Sequence, residues 1–91
     1  MHIKDFQWDE GNELHLALGQ GIEPEEAEQV LALTPLVRKT KKGHYAAFGH
    51  TAAGRLLVIV FKTLGKGLVR VITGWDMKPA ECKYYQTHRK G

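Results

Sequence analysis

Lys62 and Arg70 stand on either side of Thr63–Gly67, a segment whose Gly65-Lys66-Gly67 marks a turn. The flanking runs Arg55–Lys62 (RLLVIVFK) and Leu68–Thr73 (LVRVIT) read as strands, rich in β-branched residues. With Thr63–Gly67 as the loop, Lys62 faces Leu68 and Val60 faces Arg70. Cross-strand partners point to one side, so Lys62 and Arg70 then share a sheet face, diagonally adjacent. A loop shorter by one residue would move Arg70 to the opposite face from Lys62. Two cations held close on a sheet suit a phosphate or a carboxylate; otherwise each lies at a strand end or pairs with acidic helices.

Cutting RNA without a metal needs a group to loosen the 2′-hydroxyl proton, a cation for the scissile phosphate, and an acid for the leaving oxygen. The second half of the chain offers His44, His50, Lys62, Arg70, Glu81, Tyr84 and Tyr85. Imidazoles can serve as acid or base near neutral pH. Trp75 and Tyr45 are candidates for stacking on unpaired bases, although such aromatics more often sit in a core or at its rim. No metal or other cofactor is expected. The five histidines (2, 15, 44, 50 and 88) have no close ligand spacing, and Cys82 has no second cysteine. Cys82 reads instead as a small core residue. Gly65-Lys66-Gly67 lacks the following helix that a phosphate-binding loop needs.

These residues must be positioned by a small scaffold. The 91 residues make one domain, 1–91, with 43% hydrophobic and 25% charged side chains. Nothing approaches a membrane span, and MHIKDFQWDEGN has no apolar core of signal-peptide length, so a cytoplasmic protein with no membrane partner is expected. Charge is split along the chain. Residues 1–35 hold one basic and eight acidic side chains, a net of −7; residues 36–91 hold twelve basic and two acidic, a net of +10. Such asymmetry suits a polyanion-facing surface, or a basic sheet partly neutralised by acidic helix starts.

The expected order is strand, two helices, three or four antiparallel strands, helix: an α+β fold. Residues 2–8 alternate weakly and form a short edge strand. Asp9 caps a helix whose apolar face is Leu14, Ala17 and Leu18, and Gly19 and Gly21 end it. Pro24 opens a second helix with Ala27, Val30 and Leu31 as its stripe, stopped at Thr34-Pro35. Strands follow at Leu36–Thr40, His44–His50 and the two runs above, and Lys78-Pro79 opens a last helix. The helices are expected on one face of the sheet, leaving the other open or capped by a partner.

The ordered set Trp8-Asp9-Glu10-Gly11-Asn12 with His15, Gly21-Ile22, Pro24-Glu25-Glu26-Ala27, Tyr45, Gly49, Gly54–Phe61, Val69–Thr73, Asp76-Met77, Glu81 and Tyr84-Tyr85 resembles the BrnT family of toxin ribonucleases. The resemblance spans about Phe6 to Tyr85. It implies a RelE-like fold, with an antiparallel sheet of 3–5 strands, two N-terminal helices and one C-terminal helix. It also implies a type II toxin that cleaves RNA without metal and is neutralised by a small cognate antitoxin of ribbon-helix-helix type. The assemblies left open are a homodimer and a toxin–antitoxin heterotetramer. Arg55, Lys62 and Arg70 match basic sites of the family.

The expected catalytic set is Lys62, Arg70, His50 and Glu81; the expected RNA-binding set is Arg55, Lys66, Trp75 and Tyr45. The chain departs from the family where Leu18–Ile22 replaces a His-Gly-Val helix end, and where Thr73-Gly74-Trp75 stands in place of a segment ending in arginine. The alternative reading is a catalytically degenerate toxin fold that serves as a partner- or RNA-binding module.

Overall fold

The computed structural model describes residues 3–89. Its elements are β1 (Asp5–Phe6), α1 (Glu10–Gln20), α2 (Pro24–Ala32), β2 (Leu36–Lys41), β3 (His44–His50), β4 (Leu56–Gly65), β5 (Leu68–Asp76) and α3 (Pro79–His88). The strands make one five-stranded sheet ordered β1-β5-β4-β3-β2. Hairpins β2–β3, β3–β4 and β4–β5 are antiparallel, as short connections require. The edge strand β1 runs parallel to β5, because the chain passes through both helices and three strands before β5 returns beside it. Among the described residues no helix is long and apolar enough to cross a membrane. Met1 and His2, the latter within the expected first strand, lie outside the described residues.

The α1 start follows from Asp9 and Asn12. Asp9 Oδ1 accepts the Asn12 N–H at 3.1 Å, and Asn12 Oδ1 accepts the Asp9 N–H at 2.8 Å, a reciprocal capping box. Gly21, at φ 65°, closes the helix in the left-handed region that glycine enters without strain. Pro24 begins α2, and Glu26 turns back to accept the Glu23 N–H at 3.0 Å.

One face of the sheet carries the main core. Leu16, Ile22, Ala27, Val30 and Leu31 from the helical half pack on Ala47, Leu57, Ile59, Phe61, Val69 and Val71. The stripe expected on α2 is the one buried, whereas that on α1 is not. Leu14 and Leu18 are 46% and 82% exposed, and Asn12 and Leu16 turn inward instead. The cause is the uncovered edge of β5. β1 pairs with β5 only at Leu68 and Val69, and Asn12 Nδ2 donates to the Val71 carbonyl beyond them at 3.1 Å and to the Gln7 carbonyl at 3.0 Å. Satisfying that edge sets the rotation of α1 about its axis, and Leu16 follows Asn12 inward at i+4.

The second face is not left open either. Ala46, Phe48, Val58 and Trp75 point to it by register. α3 lies over them: the Tyr84 and Phe48 rings are 5.3 Å apart, and Trp75 Nε1 donates to Glu81 Oε1 at 3.1 Å. Arg38, on the same face, donates to the Tyr84 hydroxyl. Tyr85 is buried, while Cys82 is only partly so. The expectation that all helices share one face is therefore corrected: α3 covers half of the second face and leaves the other half uncovered.

Candidate nucleic-acid cleft

The uncovered half is set by the β4–β5 hairpin. Its turn is tighter than expected. Gly65 pairs with Leu68, so Lys66 and Gly67, at φ 54° and 81°, are the two central residues, as in a primed hairpin turn. Register shifts between Thr63 and Gly65 and between Val60 and Phe61 follow. Lys62 pairs directly with Arg70 rather than with Leu68. The displacement is two residues, an even number, so the shared face survives although the diagonal becomes a direct opposition.

The row continues into β3, where His44 is the partner of Lys62. His44, Lys62 and Arg70 thus stand side by side across three strands, with adjacent strands about 4.8 Å apart. α1 supplies the fourth member. His15 Nε2 lies 3.2 Å from Thr73 Oγ1, which brings the imidazole over the edge of β5. His15, His44, Lys62 and Arg70, with Gly11 and Ile72, line one open cleft of about 530 Å³.

The two cations differ in their surroundings. Arg70 Nη1 donates to Asp9 Oδ2 at 2.7 Å and to Gln7 Oε1 at 3.0 Å, and Nη2 reaches Asp9 Oδ1 at 3.3 Å. That hydrogen bond to Arg70 holds the Asp9 carboxyl below its usual range, and the same bond raises Arg70. Asp9 therefore caps α1 and aims Arg70 at once. Lys62 makes no ion pair among the described residues. Of the two, Lys62 is the one whose charge no carboxylate among the described residues offsets.

The other expected site residues lie elsewhere. His50 sits at the far end of β3, about 20 Å along the strand from His44, with Nδ1 2.9 Å from the Thr51 carbonyl. Glu81 is occupied by Trp75 Nε1 and by the Lys78 N–H, at 2.9 Å. Trp75 anchors α3 and is half-buried. Tyr45 faces the main core, stacked on Phe61 with ring centroids 5.6 Å apart. Lys66 is exposed in the turn. His15 and His44 take the positions beside the cations. The signal for His44 is its place after the Gly43 turn, opposite the end of the β4 run. For His15 it is its i+4 relation to Gly11, on the turn that Asp9 caps.

Arg55 is a hub rather than a member of the cleft. It donates to Asp76 Oδ1 at 2.8 Å and Oδ2 at 3.0 Å, to Glu26 Oε1 at 3.0 Å, and to the Gly21 carbonyl at 3.1 Å. It ties the α1–α2 corner to the end of the β4–β5 pair opposite the turn, and its hydrogen bond with Asp76 raises its pKa. Arg55→Ala should cost about 2 kcal/mol of stability, the pairs being partly exposed. Arg55→Lys should recover little, since an ammonium cannot reproduce the planar fork. Urea midpoints check both, and RNA binding per folded molecule should stay unchanged.

The same pairs set the acid limit. Hydrogen bonds from Arg70 and Arg55 hold Asp9 and Asp76 below the ordinary carboxylate value. Depressed folded-state values add stability above the unfolded pKa near 4, and it is lost as pH falls through the folded values. The urea midpoint should be flat from about pH 7 to 5 and fall below about pH 4. The double substitution Asp9→Asn and Asp76→Asn should flatten that fall.

No protein-family model and no curated protein matches the sequence. Among solved structures, the crystal structure of the Brucella abortus ribonuclease toxin BrnT is similar, with a TM-score of 0.69 and 21% identity. The match covers 81% of this chain and 96% of that one. The chain therefore has the fold of that toxin.

Proposed function

We propose that this chain is an endoribonuclease of the toxin type, cutting RNA in the cleft between α1 and the β3–β4–β5 row. The observation that carries the reading is the row His44–Lys62–Arg70 facing His15. Two imidazoles supply groups that exchange protons near neutral pH, and two cations supply charge for the phosphate. These groups match the three requirements of RNA cleavage, and cations so placed would disfavour a divalent metal, which supports cleavage without one. Similarity in fold to a ribonuclease toxin supports the same conclusion. The polyanion that the charge split suits is on this reading RNA, and a small ribbon-helix-helix antitoxin is the proposed protein partner, one whose binding would neutralise the toxin in the cytoplasm.

The test is direct. Purified protein incubated with RNA and excess EDTA should yield discrete fragments, and expression without an antitoxin should arrest growth. Intact RNA together with normal growth would sink the proposal. One observation favours the degenerate-module reading: Trp75, at the position where the family resemblance expects arginine, is tied to Glu81 under α3 and lends the cleft no cation. On that reading RNA binds, weakens with added salt, and is not cut.

A further inference from the structure

Resting on the ribonuclease reading, we infer that the two histidines have fixed and different roles, with His44 Nε2 as the general base. The evidence is the partner of its other nitrogen. His44 Nδ1 lies 3.1 Å from the backbone carbonyl of Lys42, two residues earlier across the β2–β3 turn. A carbonyl oxygen only accepts, so this contact is a hydrogen bond only when Nδ1 carries the proton. The neutral ring is therefore the Nδ1–H tautomer, and its lone pair is on Nε2. A backbone acceptor orients an imidazole in this way without adding a charge to the site. His15 has no such lock. Its Nε2 meets the Thr73 hydroxyl, which can donate or accept, so either protonation state keeps the contact.

The charged groups around His44 suit the assignment. Lys41 is its partner on β2, Lys62 its partner on β4, and Arg70 stands one strand further, while His15 faces from α1. The carboxylate that reaches the row, Asp9, is engaged by Arg70. Cations therefore meet the phosphate, and the imidazole beside them offers the lone pair.

In the step that follows, His44 Nε2 takes the proton of the 2′-hydroxyl. The 2′-oxygen forms a bond to phosphorus, and the bond from phosphorus to the 5′-oxygen breaks with its electron pair on that oxygen. The imidazolium of His15 gives it a proton. The products are a 2′,3′-cyclic phosphate and a 5′-hydroxyl end, and each histidine finishes in the protonation state opposite to its starting one.

The experiment is kcat/KM for a short RNA oligonucleotide between about pH 5 and 9, with the whole chain and with His44→Gln and His15→Gln. Wild type should give a bell. His44→Gln should lose about 100-fold at pH 7 and the acid side of the bell; His15→Gln should lose the alkaline side. Added imidazole should partly restore a His44→Gly variant. Nitrogen-15 NMR of the ring should show the Nδ1–H tautomer in the neutral form. A His44→Gln enzyme with wild-type rate or an unchanged acid limb overturns the assignment, as does an Nε2–H tautomer. A wild type that cuts no RNA defeats the ribonuclease reading itself, and that outcome is distinct from a wild type that cuts while His44→Gln matches it. Unchanged thermal unfolding of the variants separates these results from misfolding.

Discussion

If the cleft is the proposed ribonuclease site, Lys62→Ala should lower RNA cleavage by about 100-fold and leave the unfolding transition nearly where it was, because one charge-stabilising donor is commonly worth that much in rate. Three features set this expectation. Lys62 occupies the centre of the row, between His44 and Arg70, so an anion bridging the cleft must pass over it. It has no ion pair among the described residues, so no ion pair there is broken by its removal. The neighbouring cation substitutes only in part, because Arg70 also holds Asp9 and Gln7. Arg70→Ala would therefore mix two effects, lost charge in the cleft and a loosened α1 start, whereas Lys62→Ala isolates one. The measurement is single-turnover cleavage beside a urea titration of the same protein. Lys66→Ala, in the exposed turn, serves as the comparison and should change the rate by less than threefold. If Lys62→Ala and Lys66→Ala cleave alike, the row is not the site.

The hairpin shows why the cation pair was legible and its detail was not. Side-chain direction alternates with period two, so the face shared by Lys62 and Arg70 depends on whether the net displacement of the register at Lys62, turn and bulge together, is even or odd. The turn at Lys66-Gly67 is three residues shorter than Thr63–Gly67, an odd change, and the register shift between Thr63 and Gly65 absorbs one of the three, so the net displacement at Lys62 is two. The α1 stripe failed for a different reason. Leu14, Ala17 and Leu18 satisfy helical spacing, but the rotation of the helix was decided by Asn12 capping an open strand edge, a contact between residues 59 apart in sequence. Hydropathy along one element carries no record of that edge. His50 was preferred over His44 for a similar reason. Both lie on one strand with side chains to one face, and only the pairing of β3 with β4 says which end of the strand meets Lys62. Glu81 and Trp75 were attractive as chemistry but find each other first, since α3 crosses the second face above β5. Arg55 matched a basic site by resemblance, and its partners Glu26 and Asp76 lie 29 and 21 residues away. The acidic helices do neutralise part of the basic sheet, through Glu26 and Asp9, and among the cations of the row that leaves Lys62 without a carboxylate among the described residues.

Phe61→Ala should produce the largest loss of stability, about 3–5 kcal/mol, the range for removing a buried phenyl ring. Phe61 is fully buried and stacks on Tyr45, so the stacking contact is lost together with the buried area. It also lines an apolar recess of about 350 Å³ with Leu31 and Val37. The space left by the ring would join that recess and admit water instead of closing by collapse of its walls. A domain of this size has a total stability of roughly 5–13 kcal/mol, so the substitution removes a large share of it. The urea midpoint should fall by roughly 2–3 M, with the slope unchanged. Phe61→Leu keeps most of the apolar area and should cost about 1 kcal/mol. The functional consequence separates this residue from its neighbour in sequence. Phe61 and Lys62 point to opposite faces of β4, one to the core and one to the cleft. Phe61→Ala should reduce activity only in proportion to the unfolded fraction, rising steeply with temperature and recovering on cooling. Lys62→Ala should reduce it equally at every temperature at which the protein is folded. Finding the same temperature dependence for both would mean that the cleft and the core are not separable on this strand.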